Sequence, residues 1–290
     1  MLSIIICSIN SNLLERLKQN IADTINCSYE IVIIDNTSNK YSISQAYNLG
    51  ARKAKFSHLL FLHEDVAFHT KDWGEALKVL LDKTEIGLVG VSGAVCKSRY
   101  PSTWSMIPTE FYRINAVQRW KDGKTTQHIQ KEAEHRNFSE VSVVDGVFLA
   151  MRKDVWHDFP FNEQDLKGFH FYDMESSLLI GRRYTVVVTH DILLEHFSEG
   201  SINKKWIDES LKWHKRHKNS LPIVKKGLSK AEIKRVNHYV LTSFCFVLVK
   251  NREFKTVIQY WLKALSLKPF EKSNLDVLKY YLRSCLSVNK

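Results

Sequence analysis

Across its first 95 residues the chain alternates short apolar runs with segments whose apolar residues recur every three or four positions, and few architectures accept that pattern. The runs "LSIIIC" (2–7), "EIVIID" (30–35), "HLLFL" (58–62) and "GLVGVSG" (87–93) have the length and composition of strands. Between them, "NLLERLKQNIADTI", "SISQAYNLGARKA" and "WGEALKVLLDK" read as amphipathic helices. Strands joined through helices pair in parallel, because a crossover helix must pack back onto the sheet. The expected fold class is therefore α/β, with a mainly parallel sheet flanked by helices.

From 97 to 140 the sequence turns polar and reads as an insertion, with "VQRWKDGKTTQHI" forming a hairpin about Asp122-Gly123. Core character resumes in "VSVVDGVFLAMRKDVW" (141–156), and "YTVVVTH" (184–190) predicts a further strand, so one domain is expected over 1–205. A small all-α extension is expected over 225–290, within which "NREFKTVIQYWLKALSLKP" (251–269) resembles the second half of a single tetratricopeptide repeat.

Charge matters for what this extension meets. Residues 1–200 carry 22 Lys+Arg against 25 Asp+Glu, whereas residues 201–290 carry 20 against 6, a net +14. Such a segment suits an acidic partner, and peripheral contact with an anionic membrane is the expectation ahead of nucleic acid. The alternative is a solvated helical surface or an oligomer built through these helices. The longest apolar run, "YVLTSFCFVLV" (239–249), is too short to span a bilayer, and "MLSIIICSIN" has neither a basic leader nor a cleavage pattern. A cytoplasmic location, peripheral to the inner face of a membrane, is expected. The five cysteines are scattered without metal or redox spacing and read as reduced thiols.

Ligands of an open parallel sheet bind beyond the carboxyl ends of its strands. Asp35 closes the second strand, and Glu64 and Asp65 follow the third. No Gly-x-Gly-x-x-Gly follows the first strand and no Gly-Lys-Ser/Thr loop occurs, so neither glycine-rich phosphate cradle is available. A carboxylate-held dication is another way to neutralise a diphosphate. Each acid also has a local alternative: Asp35 in a turn with the amides that follow it, Asp65 and Asp173 as helix caps.

In their order, "LSIIICSIN", "EIVIIDNTSN", "AYNLGARKAKFSHLLFLHEDV", "VDGVFLAMRKDVW", "GFHFYDMESSLL" and "HFSEGS" resemble the glycosyltransferase family 2 enzymes, which have the GT-A fold. The resemblance covers residues 1–201. It implies a metal-dependent, hexosyltransferase-like enzyme using manganese or magnesium and a nucleotide-sugar, UDP-linked as first choice. Asp35, Asn48, Gly50 and His63 would then meet the donor, and Asp65 and His196 the metal. His63 stands where the family's first motif Asp usually stands, so it either bonds the ribose or joins the metal, while Glu64 points away. Asp173 would be the general base, with Glu175 as its alternative two positions on. Asp145, Gly146, Trp156 and Tyr172 would face the acceptor, a saccharide or lipid-linked molecule, and Phe169 and Phe171 either join that wall or are core. The loop 198–201 would cover the donor. The expected activity is inverting sugar transfer in glycan, polysaccharide or surface-antigen synthesis; the rival is a non-catalytic nucleotide-sugar-binding or assembly protein on the same fold.

Overall fold

The computed structural model describes residues 1–120, 122–130, 137–198, 200–224 and 227–288. Lys121 of the expected hairpin, Glu199 of the 198–201 loop, and Lys225, Lys226, Asn289 and Lys290 of the expected extension lie outside the described residues. The chain divides into two compact units, Met1–Val95 with Tyr112–Gly200 and Cys96–Phe111 with Ser201–Lys290.

The first ninety-odd residues give β1 (Leu2–Ser8), α1 (Ser11–Thr24), β2 (Tyr29–Asp35), α2 (Ile43–Lys53), β3 (His58–Leu62), β4 (Val66–Phe68), α3 (Trp73–Leu81), β5 (Ile86–Gly90), β6 (Ser92–Ala94) and β7 (Cys96–Lys97). There follow β8 (Tyr112–Arg119), β9 (Thr125–Gln130), β10 (Phe138–Val141), β11 (Val143–Val144), β12 (Phe148–Arg152), α4 (Lys153–Asp158), α5 (Tyr172–Ile180), β13 (Thr185–Thr189) and β14 (Leu194–His196). The remainder is α6 (Lys204–Arg216), β15 (Ile223–Val224), α7 (Lys230–Lys250), α8 (Phe254–Leu267) and α9 (Lys272–Val288).

In the first unit, the main sheet runs β10, β13, β5, β12, β3, β1, β2. Here β1 is parallel to β2 and β3, and β13 is parallel to β5, while β12 and β10 run against their neighbours. Among the described residues, five of its seven strands thus share one direction. Leu2, Ile4 and Ile6 of β1 and Leu60 and Leu62 of β3 bury against Leu14, Leu17 and Ile21 of α1 and Trp73, Leu77 and Leu81 of α3. Each such side chain contributes about 1.5–3 kcal/mol. Helix α1 starts where the Asn10 side chain accepts from the amides of Asn12 and Leu13, and α2 starts at a Ser42/Gln45 capping box.

Two readings are corrected by a second sheet in the same unit, ordered β11, β6, β8, β14, β4, with β9 paired to β8. "GLVGVSG" is not one strand, since β5 stays in the main sheet and β6 leaves for the second. Its glycines permit this: a Cβ on Gly90 would lie 2.7 Å from Val144 Cβ, and one on Gly93 would lie 2.3 Å from Val143 O. Nor is all of 97–140 an insertion, because β8 is an interior strand between β6 and β14. The hairpin is formed by β8 and β9, with Arg119 opposite Thr125 and Gly123 at φ +81°.

In the second unit, β7 pairs with β15, and α8 and α9 pack on α7. Phe244 of α7 meets Tyr260 of α8 at 4.9 Å between ring centroids, and His238 Nε2 lies 3.1 Å from Asn274 Oδ1 of α9. Lys97 is fully buried, its Nζ donating to Ser102 Oγ at 2.6 Å, His214 Nε2 at 2.8 Å and Ser98 O at 3.2 Å. Among the described residues no helix is long and apolar enough to cross a membrane.

Candidate active site

Where β3 ends, the chain runs on as His63-Glu64-Asp65, and consecutive side chains diverge. Glu64 turns to the end of β1, where its buried carboxylate accepts from Ser8 Oγ (2.6 Å) and from the amides of Ile9 and Asn10 (both 3.0 Å). It ties the β1–α1 junction to β3, a structural task. His63 N donates to Val147 O at 3.1 Å, which holds this segment against the turn leading into β12.

Asp65 meets His196 because β14 pairs antiparallel with β4, putting His196 opposite Val66, and Phe197 N donates to Asp65 O at 2.9 Å. Asp65 Oδ2 lies 3.5 Å from His196 Nε2, and Asp65 Oδ1 lies 3.8 Å from His63 Nδ1. Ser198 Oγ is 3.2 Å from the same His196 nitrogen. Burial alone would raise the Asp65 carboxyl, but the hydrogen bond and charge of His196, with the charge of His63, hold it well below the usual range. His63 is pushed down by burial against the pull of Asp65, whereas on His196 burial is outweighed by Asp65 and Asp145, which raise it. One ligand atom from each of His63, Asp65 and His196 lies within 4.8 Å of the others. Two imidazoles and a carboxylate so spaced fit a divalent cation.

Beside this cluster the β11–β12 turn and the start of α5 meet. Asp145 Oδ1 accepts from Val147 N at 2.9 Å, which fixes the turn at Gly146. A Cβ at Gly146 would fall 2.2 Å from Tyr172 Oη, so only glycine lets the tyrosine lie across it. Tyr172 Oη donates to Gly146 O at 3.1 Å and touches His63 Nε2 at 2.7 Å. Ser177 Oγ donates to Asp173 O at 2.8 Å and accepts from Val144 N at 3.2 Å, pinning the first turn of α5 to β11. Burial first, and then the charge of Asp145, push the Asp173 carboxyl up to about 7, against backbone amides including that of Gly146. The preceding Phe171 sits at φ +69°, a left-handed conformation uncommon for a bulky residue.

His63, Asp65, Asp145, Gly146, Tyr172, Asp173 and His196 therefore converge, while other residues singled out in the sequence have different partners. Asn48 is buried with both ends of its amide engaged: Nδ2 donates to Phe161 O and Glu163 Oε1, both at 2.8 Å, and Oδ1 accepts from Trp156 Nε1 (2.9 Å) and Phe161 N (3.1 Å). Asn48 and Trp156 thus stitch α2 and α4 to the loop that follows α4. Gly50 lets α2 approach β1, since a Cβ there would lie 2.2 Å from Ile5 Cγ2. Asp35 is exposed at the end of β2 and accepts from Thr37 N (3.0 Å) and Thr37 Oγ1 (2.8 Å), the local turn its position allows. Glu175 is buried, with Asn162 Nδ2 at 3.3 Å from its Oε1. Phe171 is core, whereas Phe169 is 43% exposed. The Tyr172–His63 contact escaped the sequence reading; a Gly opposite an aromatic is no signal until the turn and the helix are brought together.

This is a GT-A-type architecture, a mixed α/β fold with a central sheet flanked by helices, followed by C-terminal helices. It is similar to the solved structure of GalNAc-T7 with UDP, GalNAc and Mn2+ (TM-score 0.51, 12% identity, 86% of this chain and 57% of that one). It is similar also to Staphylococcus aureus TarS (TM-score 0.52, 12% identity, 99% and 53%). The chain spans a little over half the length of each. A family model described as "Glycosyltransferase like family" matches residues 3–221, and the chain belongs to that family. The match stops short of the segment resembling a tetratricopeptide repeat. No curated protein matches the sequence significantly.

Proposed function

We propose that this protein transfers a sugar, with inversion, from a nucleotide diphosphate-sugar to a hydroxyl of a saccharide or lipid-linked acceptor in glycan, polysaccharide or surface-antigen synthesis. The observation that carries the reading is the Asp173 carboxyl, held near neutrality beside a cluster suited to a dication. His63, Asp65 and His196 would hold a divalent cation, whose charge would offset that of the diphosphate. Asp173 takes the acceptor's proton as the acceptor oxygen bonds to the anomeric carbon, and the bond from that carbon to the diphosphate oxygen breaks with its electron pair leaving on the diphosphate. One displacement inverts the configuration. Asp35 at its strand end is the donor's base contact in this reading, and Asp145 and Gly146 line the acceptor side. The UDP and Mn2+ in the GalNAc-T7 structure favour UDP-sugars and manganese as first probes.

The second unit supports an anionic membrane as the place of work. On α9 the exposed Leu275, Leu282 and Leu286 recur on one helical face, with the exposed Lys272, Lys279 and Arg283 alongside. Apolar side chains flanked by cations suit a headgroup layer, and a cytoplasmic, peripheral enzyme would meet a lipid-linked acceptor there.

The test compares Asp173→Asn with Glu175→Gln. Transfer by the Asp173 variant should fall by about 100-fold or more while donor affinity holds, and the Glu175 variant should lose far less. A normally active Asp173 variant removes it as the base. Donor binding by the parent with neither transfer nor release of nucleoside diphosphate would favour the rival, a binding protein.

A further inference from the structure

At its outer end β8 runs through Gln118 and Arg119 into Trp120, and successive side chains go to opposite faces of the second sheet. β8 and β14 are parallel with Gln118 beside His196, so Gln118 and Trp120 share the face from which His196 reaches Asp65. Arg119 and Glu195 share the other face, where Arg119 Nε donates to Glu195 Oε1 at 2.6 Å and Arg119 Cζ lies 5.6 Å from the Phe197 ring centroid. Beyond His196 the chain stays alongside β8, since Gln118 Nε2 donates to Ser198 O at 2.8 Å. Strand spacing then sets the α-carbon of Trp120 roughly 8 Å from that of His196. Of the first unit's three tryptophans, Trp73 and Trp156 are buried and Trp120 is 40% exposed. Its indole N–H is spent within the hairpin, donating to Thr126 Oγ1 at 2.8 Å, and its backbone N donates to Lys124 O at 2.8 Å. An N–H so used fixes the ring and leaves its face, rather than its polar edge, for a ligand. Thr126 and His128 of β9, opposite Gln118 and Ala116, stand exposed on the same face and offer hydrogen bonds.

We propose that the indole face of Trp120 is a platform for a six-membered sugar ring, a specificity contact on the β8 side of the cluster formed by His63, Asp65 and His196. A pyranose presents a patch of C–H bonds on one face and hydroxyls at its rim, so the patch stacks on the electron-rich indole while the rim meets Thr126 and His128. Topology keeps this site apart from the nucleobase. Asp35, the base contact of the proposed transfer, ends β2 at one edge of the main sheet, whereas β8 packs against β13, on the far side of β3 from β2. A diphosphate at the cluster thus leads away from Asp35 toward Trp120, where sugar rather than base comes to lie. The inference rests on that reading of the donor. The ring belongs to the donor or to the acceptor, and the test separates the two.

That test uses the full chain with Mn2+. UDP, UDP-glucose, UDP-galactose and UDP-N-acetylglucosamine are titrated calorimetrically into the parent, Trp120→Ala and Trp120→Phe. Methyl β-glucoside, methyl β-galactoside and methyl β-N-acetylglucosaminide are titrated into the parent, with and without UDP, while the indole 1H–15N signal of Trp120 is followed. If the donor's sugar stacks there, at least one UDP-sugar loses about 10-fold in affinity in Trp120→Ala and recovers most of it in Trp120→Phe, with UDP itself unchanged. If the acceptor's does, the UDP-sugars bind all three proteins alike, and a glycoside moves the indole signal. Either result upholds the site. An indole signal that no glycoside moves, with no UDP-sugar distinguishing Trp120→Ala from the parent, would overturn it. So would UDP losing as much affinity as its sugars, because the ring would then be meeting the base. Sugar stacking on Trp120 without transfer to any acceptor would sink only the proposed function, and transfer indifferent to Trp120→Ala would sink only this inference.

Discussion

A carboxyl held near neutrality makes stability depend on pH in a direction opposite to that of an ordinary surface acid. Asp173, raised to about 7, binds a proton in the folded protein that the unfolded chain, titrating near 4, has already released. The stability this provides is full below about pH 4 and is lost as pH rises through about 7. Asp173→Asn removes the charge, so its melting temperature relative to the parent's should climb between about pH 5 and pH 8, by the equivalent of at most a few kcal/mol. Calorimetry of metal-free protein across that range checks this, and a constant difference would contradict it. Transfer needs the deprotonated form, so the parent's rate should rise over the same interval. At this scale residue types were legible but partners were not. Asp65 and His196 could be singled out from the chain, yet their meeting depends on a strand pairing across 130 residues. Asn48 is set in the donor cleft by resemblance alone, since a polar side chain on a helix carries no mark of whether ligand or backbone will satisfy it, and here its amide is engaged by Phe161, Glu163 and Trp156.

At the scale of elements, the site depends on two short pieces, the Asp145-Gly146 turn and the first turn of α5. Gly146→Ala puts a methyl 2.2 Å from Tyr172 Oη, so either the phenol or the turn must move. The expected loss is about 1–3 kcal/mol, the usual range for overpacking a buried site. Urea unfolding should show a lower midpoint at an unchanged slope, and an unchanged midpoint would mean that the turn yields freely. The α/β alternation of residues 1–90 was readable because helix and strand periods differ so plainly. The division of "GLVGVSG" between two sheets was not, since membership of a sheet is decided by neighbours distant in sequence, here Val143 and Val144. Likewise β8 reads as polar because it carries Arg113, Asn115 and Gln118, of which Asn115 is buried and donates to His190 O and Ile192 O, partners distant in sequence.

For the whole molecule, the asymmetry of charge is the feature open to direct measurement. Vesicles rich in anionic lipid should retain the protein in low salt and release it as salt screens the attraction, since each basic residue near such a surface contributes about 1 kcal/mol. Leu282→Glu should weaken retention further, and equal retention by neutral vesicles would remove the membrane from the reading. The helical character of the C-terminal segment was legible from its periodicity, but the recruitment of residues 96–111 into its unit was not, because nothing local in that stretch announces a distant partner. That recruitment matters while the chain is being made. Lys97 leaves the ribosome 117 residues ahead of His214, an interval of roughly 6–23 s at ordinary rates of synthesis. A leucine in its place would spend those seconds as a sticky, half-finished strand. An ammonium stays comfortably hydrated until Ser102 and His214 are both there to receive it, so the nascent segment can wait without seeking the wrong company.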